Sequence, residues 1–172
     1  MCIRDRSHGL EGSSDGHYIK GMAKIFRQQG FDALCWNNRS CSGELNRKEI
    51  FYHSGASYDL SSVIDHVLEN SPYQEINLIG FSLGGNQSLK YLGEKSHQLD
   101  SRIKKACVFS TPCCLRDSSA VLKRGFNKLY TKNFLKTLRP KVLAKESLLT
   151  PIGVKAEDLN KVKNLTDFDH YF

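Results

Sequence analysis

The chain has 172 residues, of which 40% are hydrophobic and 10% aromatic, a composition typical of one globular domain of ordinary size. No run approaches the roughly 18 apolar residues that a membrane-spanning helix needs, and no apolar stretch near the N-terminus resembles a secretory signal. We therefore expect a cytoplasmic protein. The six cysteines, which lack the spacing of a disulfide framework, agree with that expectation.

The formal net charge of +7 is concentrated in one part of the chain. Residues 121–163 contain eleven Lys or Arg and three Asp or Glu, which amounts to +8 and leaves the rest of the chain near −1. The basic segment therefore needs an explanation of its own.

Residues 1–6 do not fit the sequence that follows them. Their sequence, Met-Cys-Ile-Arg-Asp-Arg, resembles translated sequencing-adapter read-through, so we expect a non-native leader, with a short native leader as the alternative. Residues 7–12 predict a strand-to-helix loop without the strand that should precede it. We therefore expect the true N-terminus to be missing.

Hydrophobic periodicity predicts helices that alternate with strands along the next hundred residues. The predicted helices cover 18–29, 57–68 and 86–95, and the predicted strands cover 31–36, 76–79 and 103–110. This alternation predicts an α/β fold with a mostly parallel sheet flanked by helices, in which residues 106–109 are buried. From residue 118 onward apolar residues recur at helical spacing opposite a basic face, whereas residues 158–172 are predicted to be a loop.

A Gly-x-Ser-x-Gly motif follows the second predicted strand and precedes the third predicted helix. In this context the motif indicates a nucleophile elbow, in which a strained turn raises a serine hydroxyl above the sheet. Gly80 and Gly84 are the small residues that such a turn needs, so Ser82 is predicted to be a nucleophile. The alternative is a glycine- and serine-rich turn that matches the motif by chance.

The loop that begins at His8 and Gly9 is the candidate for the other half of the site. In an α/β-hydrolase this loop supplies one oxyanion-hole amide, and the residue after the nucleophile supplies the other. The candidates are therefore the backbone N–H groups of Leu10 and Leu83. We expect His8 to pack beneath the loop and so to shape the hole.

The sequence does not offer a suitable Asp and His to complete a catalytic triad with Ser82. In this fold they follow the serine in the order Asp, then His, on loops after later strands. His97 and His170 are the only histidines after Ser82, and neither follows a strand that would bring it to the serine. We expect both missing triad members to lie outside this chain.

The other cysteines and histidines considered are predicted to have structural rather than catalytic roles. Cys113 and Cys114 are predicted to be a small buried thiol pair, His53 to serve a loop, and His66 to be exposed on a helix. The sequence contains neither Gly-x-x-x-x-Gly-Lys nor Gly-x-Gly-x-x-Gly, and no cluster of ligands has metal spacing. No cofactor and no metal are therefore predicted.

Four motifs in order resemble those of the YheT-like branch of the α/β-hydrolases: residues 8–13, 38–44, 52–55 and 80–86. One departure is Ser40, where that family more often has glycine. The resemblance implies a partial α/β-hydrolase fold, with a core over 7–117 and a helical cap over 118–172. It implies a serine hydrolase of carboxylic esters, with short-chain or lipid acyl groups and Ser82 as nucleophile, whose family Asp and His lie beyond Phe172.

Alternatives from other classes remain: a non-catalytic interaction module on the same fold, or acyltransferase or peptidase chemistry by the same serine. For the basic cap a solvated face is favoured over peripheral contact with anionic membrane, and nucleic-acid binding is not predicted. The sequence makes no prediction of oligomeric state. Because residues 4–6 would put charges in the central slot between strands 31–36 and 76–79, we expect low stability or activity of this chain alone.

Overall fold

The computed structural model describes residues 2–172, and their side chains from Ser7 onward. The chain forms two compact units. The first runs to Gly43 and resumes at Tyr52–Cys113, and the second comprises Glu44–Phe51 and Cys114–Phe172. The division into a leader, a core over 7–117 and a cap over 118–172 stays a prediction.

The first unit alternates strands and helices as predicted. Its elements are β1 (Cys2–Ser7), α1 (His17–Gln28), β2 (Asp32–Cys35), α2 (Ser57–Asn70), β3 (Glu75–Phe81), α3 (Leu83–Lys95) and β4 (Ile103–Phe109). The four strands form one parallel sheet in the order β2-β1-β3-β4. The predicted parallel sheet with flanking helices is therefore confirmed.

The backbone of β1 corrects one expectation. Residues 7–12 were expected to be a loop with no strand before it, but Cys2–Ser7 pairs with β2 on one side and β3 on the other. A parallel ladder joins backbone N–H and C=O groups, which every residue except proline carries, so charged residues do not prevent pairing. That residues 1–6 are a non-native leader stays a prediction.

The strand order creates a switch point between β1 and β3. After β1 the chain moves outward to β2 and then crosses to β3 on the other side of β1. The strands β1 and β3 are neighbours, and Ser7 at the end of β1 lies opposite Gly80 of β3. The loops that leave their carboxyl ends run in opposite directions, one toward β2 and the other toward β4. In open α/β sheets such a crevice is where ligands bind.

The core of the first unit lies between the sheet and the packed pair α2 and α3. Helix α2 contributes Leu60, Ile64 and Val67, whose spacing of four and three places them on one helix face. Each such side chain stabilises the fold by about 1.5–3 kcal/mol when fully buried. The indole Nε1–H of buried Trp36 donates to Ser7 Oγ at 2.9 Å, which links β2 to the end of β1.

The predicted burial of residues 106–109 is wrong. Ala106 and Cys107 are exposed, and 40% of the Phe109 surface is accessible. Within the described residues β4 pairs with β3 alone, so it is an edge strand. Cys113 and Cys114, predicted to be a buried pair, are also exposed because they follow β4 in a loop.

The second unit is helical, as predicted from residue 118 onward. It contains α4 (Leu115–Leu122), α5 (Lys128–Ala144), α6 (Glu146–Leu149) and α7 (Leu165–Tyr171), with 3-10 turns at Gly125–Asn127, Thr150–Ile152 and Ala156–Lys161. Its core includes Leu135, Leu138, Val142, Leu149, Leu159, Val162 and Phe168. No helix in the described part of the chain is long and apolar enough to cross a bilayer.

Helix α7 corrects the prediction of a loop over residues 158–172. Asn164 caps the helix by accepting a hydrogen bond from the Asp167 N–H at 3.2 Å, and Phe168 is buried. An asparagine followed three residues later by an acidic residue is a helix-start signal. The sequence therefore contained the signal, which the polar composition of the segment obscured.

Candidate active site

Ser82 occupies the turn between β3 and α3. Its backbone has φ 52° and ψ −117°, a strained conformation that costs a residue other than glycine about 1–3 kcal/mol. The N–H of Ser82 donates to Phe109 O at 2.8 Å, which ties the turn to the end of β4. Helix α3 begins at Leu83, three residues before its predicted start, so the partial positive charge of its N-terminus lies beside Ser82.

The two glycines of the motif are required by close backbone approach. A Cβ at Gly80 would lie 2.5 Å from Gly85 Cα, and a Cβ at Gly84 would lie 2.6 Å from His8 O. Real Cβ atoms essentially never come within 3.0 Å of a heavy atom outside their own and the adjacent residues, and here the obstructing atoms belong to the backbone. The small residues that the sequence predicted at these positions are therefore a steric necessity.

The loop after β1 lies directly against the serine. A Cβ built on Gly9 would be 3.3 Å from Ser82 Cβ and 3.9 Å from Ser82 Oγ. Leu10 packs against the buried cluster formed by Leu83, Cys41 and Tyr52. Among the described residues, neither the Leu10 N–H nor the Leu83 N–H donates a hydrogen bond. An oxyanion-hole amide must be available in this way to donate to the oxyanion.

His8 holds this loop from beneath, in a single tautomer. Its ring is 1% exposed, and Nε2 accepts a hydrogen bond from the Asn38 N–H at 3.0 Å. Because Nε2 is an acceptor, the proton of the neutral ring is on Nδ1, which donates to Gly9 O at 2.7 Å. Both ring nitrogens are thus engaged, and the ring is a support for the loop rather than a base for Ser82.

Tyr52 holds the same loop from a second side. Its hydroxyl accepts a hydrogen bond from the Glu11 N–H at 2.7 Å and donates to Glu11 Oε1 at 2.8 Å. Burial raises the pKa of Tyr52 far above its ordinary value, and the neighbouring charges of Cys41 and Glu11 raise the pKa further. The hydroxyl therefore stays protonated.

Gln87 joins the remaining motifs to α3. This fully buried side chain donates from Nε2 to Asn38 Oδ1 at 3.0 Å and to His53 O at 3.1 Å. The four motifs that indicated the family therefore meet at one end of the sheet. The sequence did not predict a role for Gln87. Hydrophobic periodicity separates apolar from polar positions, so a buried glutamine gives the same pattern as an exposed one.

The loop after β2 is fixed by a bidentate ion pair. Arg39 donates to Asp59 Oδ2 from Nε at 2.6 Å and to Oδ1 from Nη2 at 2.5 Å. This hydrogen-bonded carboxylate raises the pKa of the Arg39 guanidinium above its already high value. Ser40, the position that departs from the family, has φ 60°, a backbone conformation that glycine adopts at lower cost.

Among the described residues, the first unit does not place a histidine within hydrogen-bond reach of Ser82 Oγ. His97 lies just beyond the far end of α3, roughly 20 Å from the serine at the rise of a thirteen-residue helix. His53 is exposed and its Nδ1 accepts from the Gly55 N–H at 3.1 Å, while His170 lies on α7 in the second unit. Among the described residues, none forms a hydrogen bond with Ser82 Oγ, and no group of three or more His, Cys, Asp or Glu side chains could hold a metal.

The family described as the alpha/beta hydrolase fold matches residues 7–145. The chain therefore belongs to the α/β-hydrolase family, with the parallel sheet and the strand–turn–helix at Ser82 that define this class. Within that family it is a YheT-like α/β-hydrolase, as the four sequence motifs predicted.

Three known proteins illustrate the similarity. YheT of Escherichia coli (strain K12), which carries the provisional name of an esterase, is 30% identical over 165 residues, or 94% of this chain and 47% of YheT. A monoacylglycerol lipase of Saccharomyces cerevisiae is 25% identical over 95% of this chain and 37% of the lipase. The solved structure of the Pyrococcus furiosus esterase Pf2001 shares the fold, with a TM-score of 0.60 at 20% identity over 72% of this chain and 47% of that esterase. This chain thus spans less than half the length of each.

Proposed function

We propose that the protein is a serine hydrolase that cleaves carboxylic esters with short-chain or lipid acyl groups, and that Ser82 is its nucleophile. The observation that carries the proposal is the strained turn at Ser82, with the loop containing Leu10 packed against the serine. Two relatives support the same class of substrate: YheT, provisionally named an esterase, and the monoacylglycerol lipase.

The proposed reaction proceeds through an acyl-enzyme. Ser82 Oγ attacks the ester carbonyl carbon as a base removes its proton, and the negative oxygen that forms accepts hydrogen bonds from the Leu10 and Leu83 N–H groups. The intermediate collapses, the alcohol leaves with the proton from the base, and the acyl group stays on Ser82. Water, deprotonated by the same base, then releases the carboxylic acid.

The proposal requires a histidine and a carboxylate that the described residues do not bring to Ser82. In the family these groups follow the nucleophile in the sequence. We propose that they lie outside residues 1–172, as the sequence predicted. The full-length protein is therefore the right material for every activity measurement.

A fluorophosphonate probe tests the nucleophile directly, because it phosphonylates an activated serine. We expect labelling of the full-length protein, with mass spectrometry placing the adduct on Ser82. Ser82→Ala is expected to abolish labelling and to lower ester turnover by at least a thousandfold, since removal of a catalytic serine can cost about a millionfold in kcat.

Ser96→Ala is the matched control for that experiment. Ser96 flanks the opposite end of α3 and also has a left-handed backbone, with φ 39°, but it lies far from the proposed site. We expect Ser96→Ala to label as the unmodified protein does. Labelling that survives Ser82→Ala would overturn the proposal.

As a second candidate activity, the second unit binds the surface of an anionic membrane. The observation that favours it is an apolar group at the junction of α4 and α5: Phe126 is 86% exposed, and Leu129 and Tyr130 are more than half exposed. Basic residues lie among them at Lys123, Arg124, Lys128 and Lys132. Exposed aromatic residues with surrounding lysines suit the interface of an anionic bilayer, at about 1 kcal/mol per well-placed cation.

Vesicle co-sedimentation distinguishes this membrane contact from a merely solvated face. We expect the protein to pellet with phosphatidylcholine vesicles that contain phosphatidylserine, less so as salt rises, and not with phosphatidylcholine alone. Phe126→Ser should weaken pelleting, whereas Ile25→Ser, which alters an exposed apolar residue of α1, should not. Equal pelleting of the two variants, or none by the unmodified protein, would leave the solvated face as the explanation.

A further inference from the structure

Two tyrosine hydroxyls flank the amide of Leu10 along the backbone. The Gly9 N–H donates to Tyr18 Oη at 3.2 Å, and the Glu11 N–H donates to Tyr52 Oη at 2.7 Å. These are the backbone amides immediately before and after Leu10. Each is therefore engaged within the protein, while the Leu10 N–H between them donates to no described residue.

The orientation of the Leu10 N–H is also set within its own peptide group. Gly9 O and the Leu10 N–H belong to one planar peptide and point in opposite directions. Gly9 O accepts hydrogen bonds from the Gly12 N–H at 3.0 Å and from His8 Nδ1–H. With the carbonyl held on one side, the N–H is directed to the other.

Tyr52 is the firmer of the two supports. Its ring is 7% exposed, and its single proton is donated to Glu11 Oε1, so a lone pair of the oxygen faces the Glu11 N–H. Glu11 itself has φ 55°, a left-handed conformation that needs support from its surroundings. Tyr18 is 42% exposed, and its contact with Gly9 is longer.

We propose that Tyr52 and Tyr18 are positioning residues that hold the peptide groups on either side of Leu10 and thereby aim the Leu10 N–H at the oxyanion. Neither tyrosine touches the reacting atoms. This inference rests on the proposed function, since it assigns the two tyrosines to the oxyanion hole of that reaction.

The test compares three tyrosine-to-phenylalanine variants in the full-length protein. Tyr52→Phe and Tyr18→Phe keep the rings and remove the supporting hydroxyls. Tyr73→Phe is the matched control, because its hydroxyl also donates to a carboxylate, Asp32 Oδ2 at 2.8 Å, but does not contact the loop.

We expect Tyr52→Phe to lower kcat about tenfold or more with little change in KM, because an oxyanion contact strengthens only in the transition state. Tyr18→Phe should have a smaller effect in the same direction, and Tyr73→Phe none. Affinity for a boronic acid, which forms a tetrahedral anion on the serine, should fall with kcat, whereas affinity for the carboxylate product should not. A change confined to packing would weaken both ligands alike.

The outcomes separate this inference from the function it rests on. If the unmodified protein shows no Ser82-dependent turnover, the proposed function fails and the inference fails with it. If turnover depends on Ser82 but Tyr52→Phe and Tyr18→Phe match Tyr73→Phe, the inference alone is overturned. If Tyr52→Phe folds poorly, Tyr18→Phe, which alters a more exposed residue, tests the inference instead. A lower kcat with little change in KM would support the inference, and an unchanged kcat would overturn it.

Discussion

The turn at Ser82 and the surroundings of Lys145 are both closely packed, but different atoms hold them together. At the turn the contacts are between backbone atoms: Gly80 lies against Gly85, and Gly84 against His8. In the second unit, the Lys145 side chain is 1% exposed, and Nζ donates to Asn46 Oδ1 and Ile50 O, each at 3.1 Å.

This difference predicts how each region responds to substitution. Backbone atoms in contact leave no room for a new Cβ, and the close-packed strand, helix and loop to which they belong can shift only a little. A buried lysine is held by partners that can partly rearrange or hydrate, and the ring of Phe51, 4.3 Å from Nζ, gives it a further favourable contact. The first region should therefore be intolerant of one added methyl, and the second should lose a moderate amount of stability.

The largest effect is expected from Gly84→Ala. The new Cβ would lie within 2.6 Å of His8 O, so the turn and the loop after β1 must separate, at a cost of about 3 kcal/mol or more. Denaturant unfolding followed by the fluorescence of Trp36, the single tryptophan of the chain and part of the first-unit core, measures the loss.

Gly93→Ala is the matched control on the same helix. Nothing lies within 4 Å of a Cβ at Gly93, which is exposed, so alanine should stabilise α3 by about 0.5–1 kcal/mol through its higher helix propensity. Equal stability of the two variants would contradict the steric account of the turn.

A smaller loss is expected from Lys145→Met. Methionine fills similar volume but leaves Asn46 Oδ1 and Ile50 O without the ammonium, which costs about 2 kcal/mol for buried polar groups that lose a charged partner. Because the chain has two units, a single unfolding transition need not report on the second unit. Amide hydrogen exchange measures the local stability of each segment and is therefore the appropriate measurement. Faster exchange should be confined to residues 46–51 and α5.

Lys136→Met provides the comparison for this change. Lys136 is exposed on the same helix, and its replacement should leave exchange rates in the second unit unchanged. If both variants exchange alike, Lys145 does not stabilise the second unit through the contacts described.

Much of the first unit was predictable because its signals are local. The 3.6-residue spacing of Leu60, Ile64 and Val67 predicts α2, and the run that ends at Gly80 predicts β3 and the turn after it. The exposure of β4 was not predictable. The sequence of an apolar strand has the same hydrophobic pattern whether or not another strand pairs with its outer edge.

The supports of the candidate site were not predictable for a related reason. His8, Tyr52 and Gln87 meet only because the switch in strand order brings loops distant in sequence to one end of the sheet. No periodicity marks a side chain whose partner lies about 30 or 40 residues away. The motifs located the segments, and their hydrogen bonds required the structure.

The smallest effect is expected from Arg39→Lys, which tests a side-chain contact beside the backbone-held turn. Lysine keeps the charge opposite Asp59 but loses the fork of two hydrogen bonds. The pair is partly accessible to solvent, at 24% for Arg39 and 14% for Asp59, so we expect a loss of about 1 kcal/mol by Trp36 fluorescence. Lys20→Met, which removes the well-exposed ion pair with Asp15, should have no measurable effect. A loss from Arg39→Lys as large as that from Gly84→Ala would show that side chains, and not backbone contacts alone, determine the geometry around Ser82.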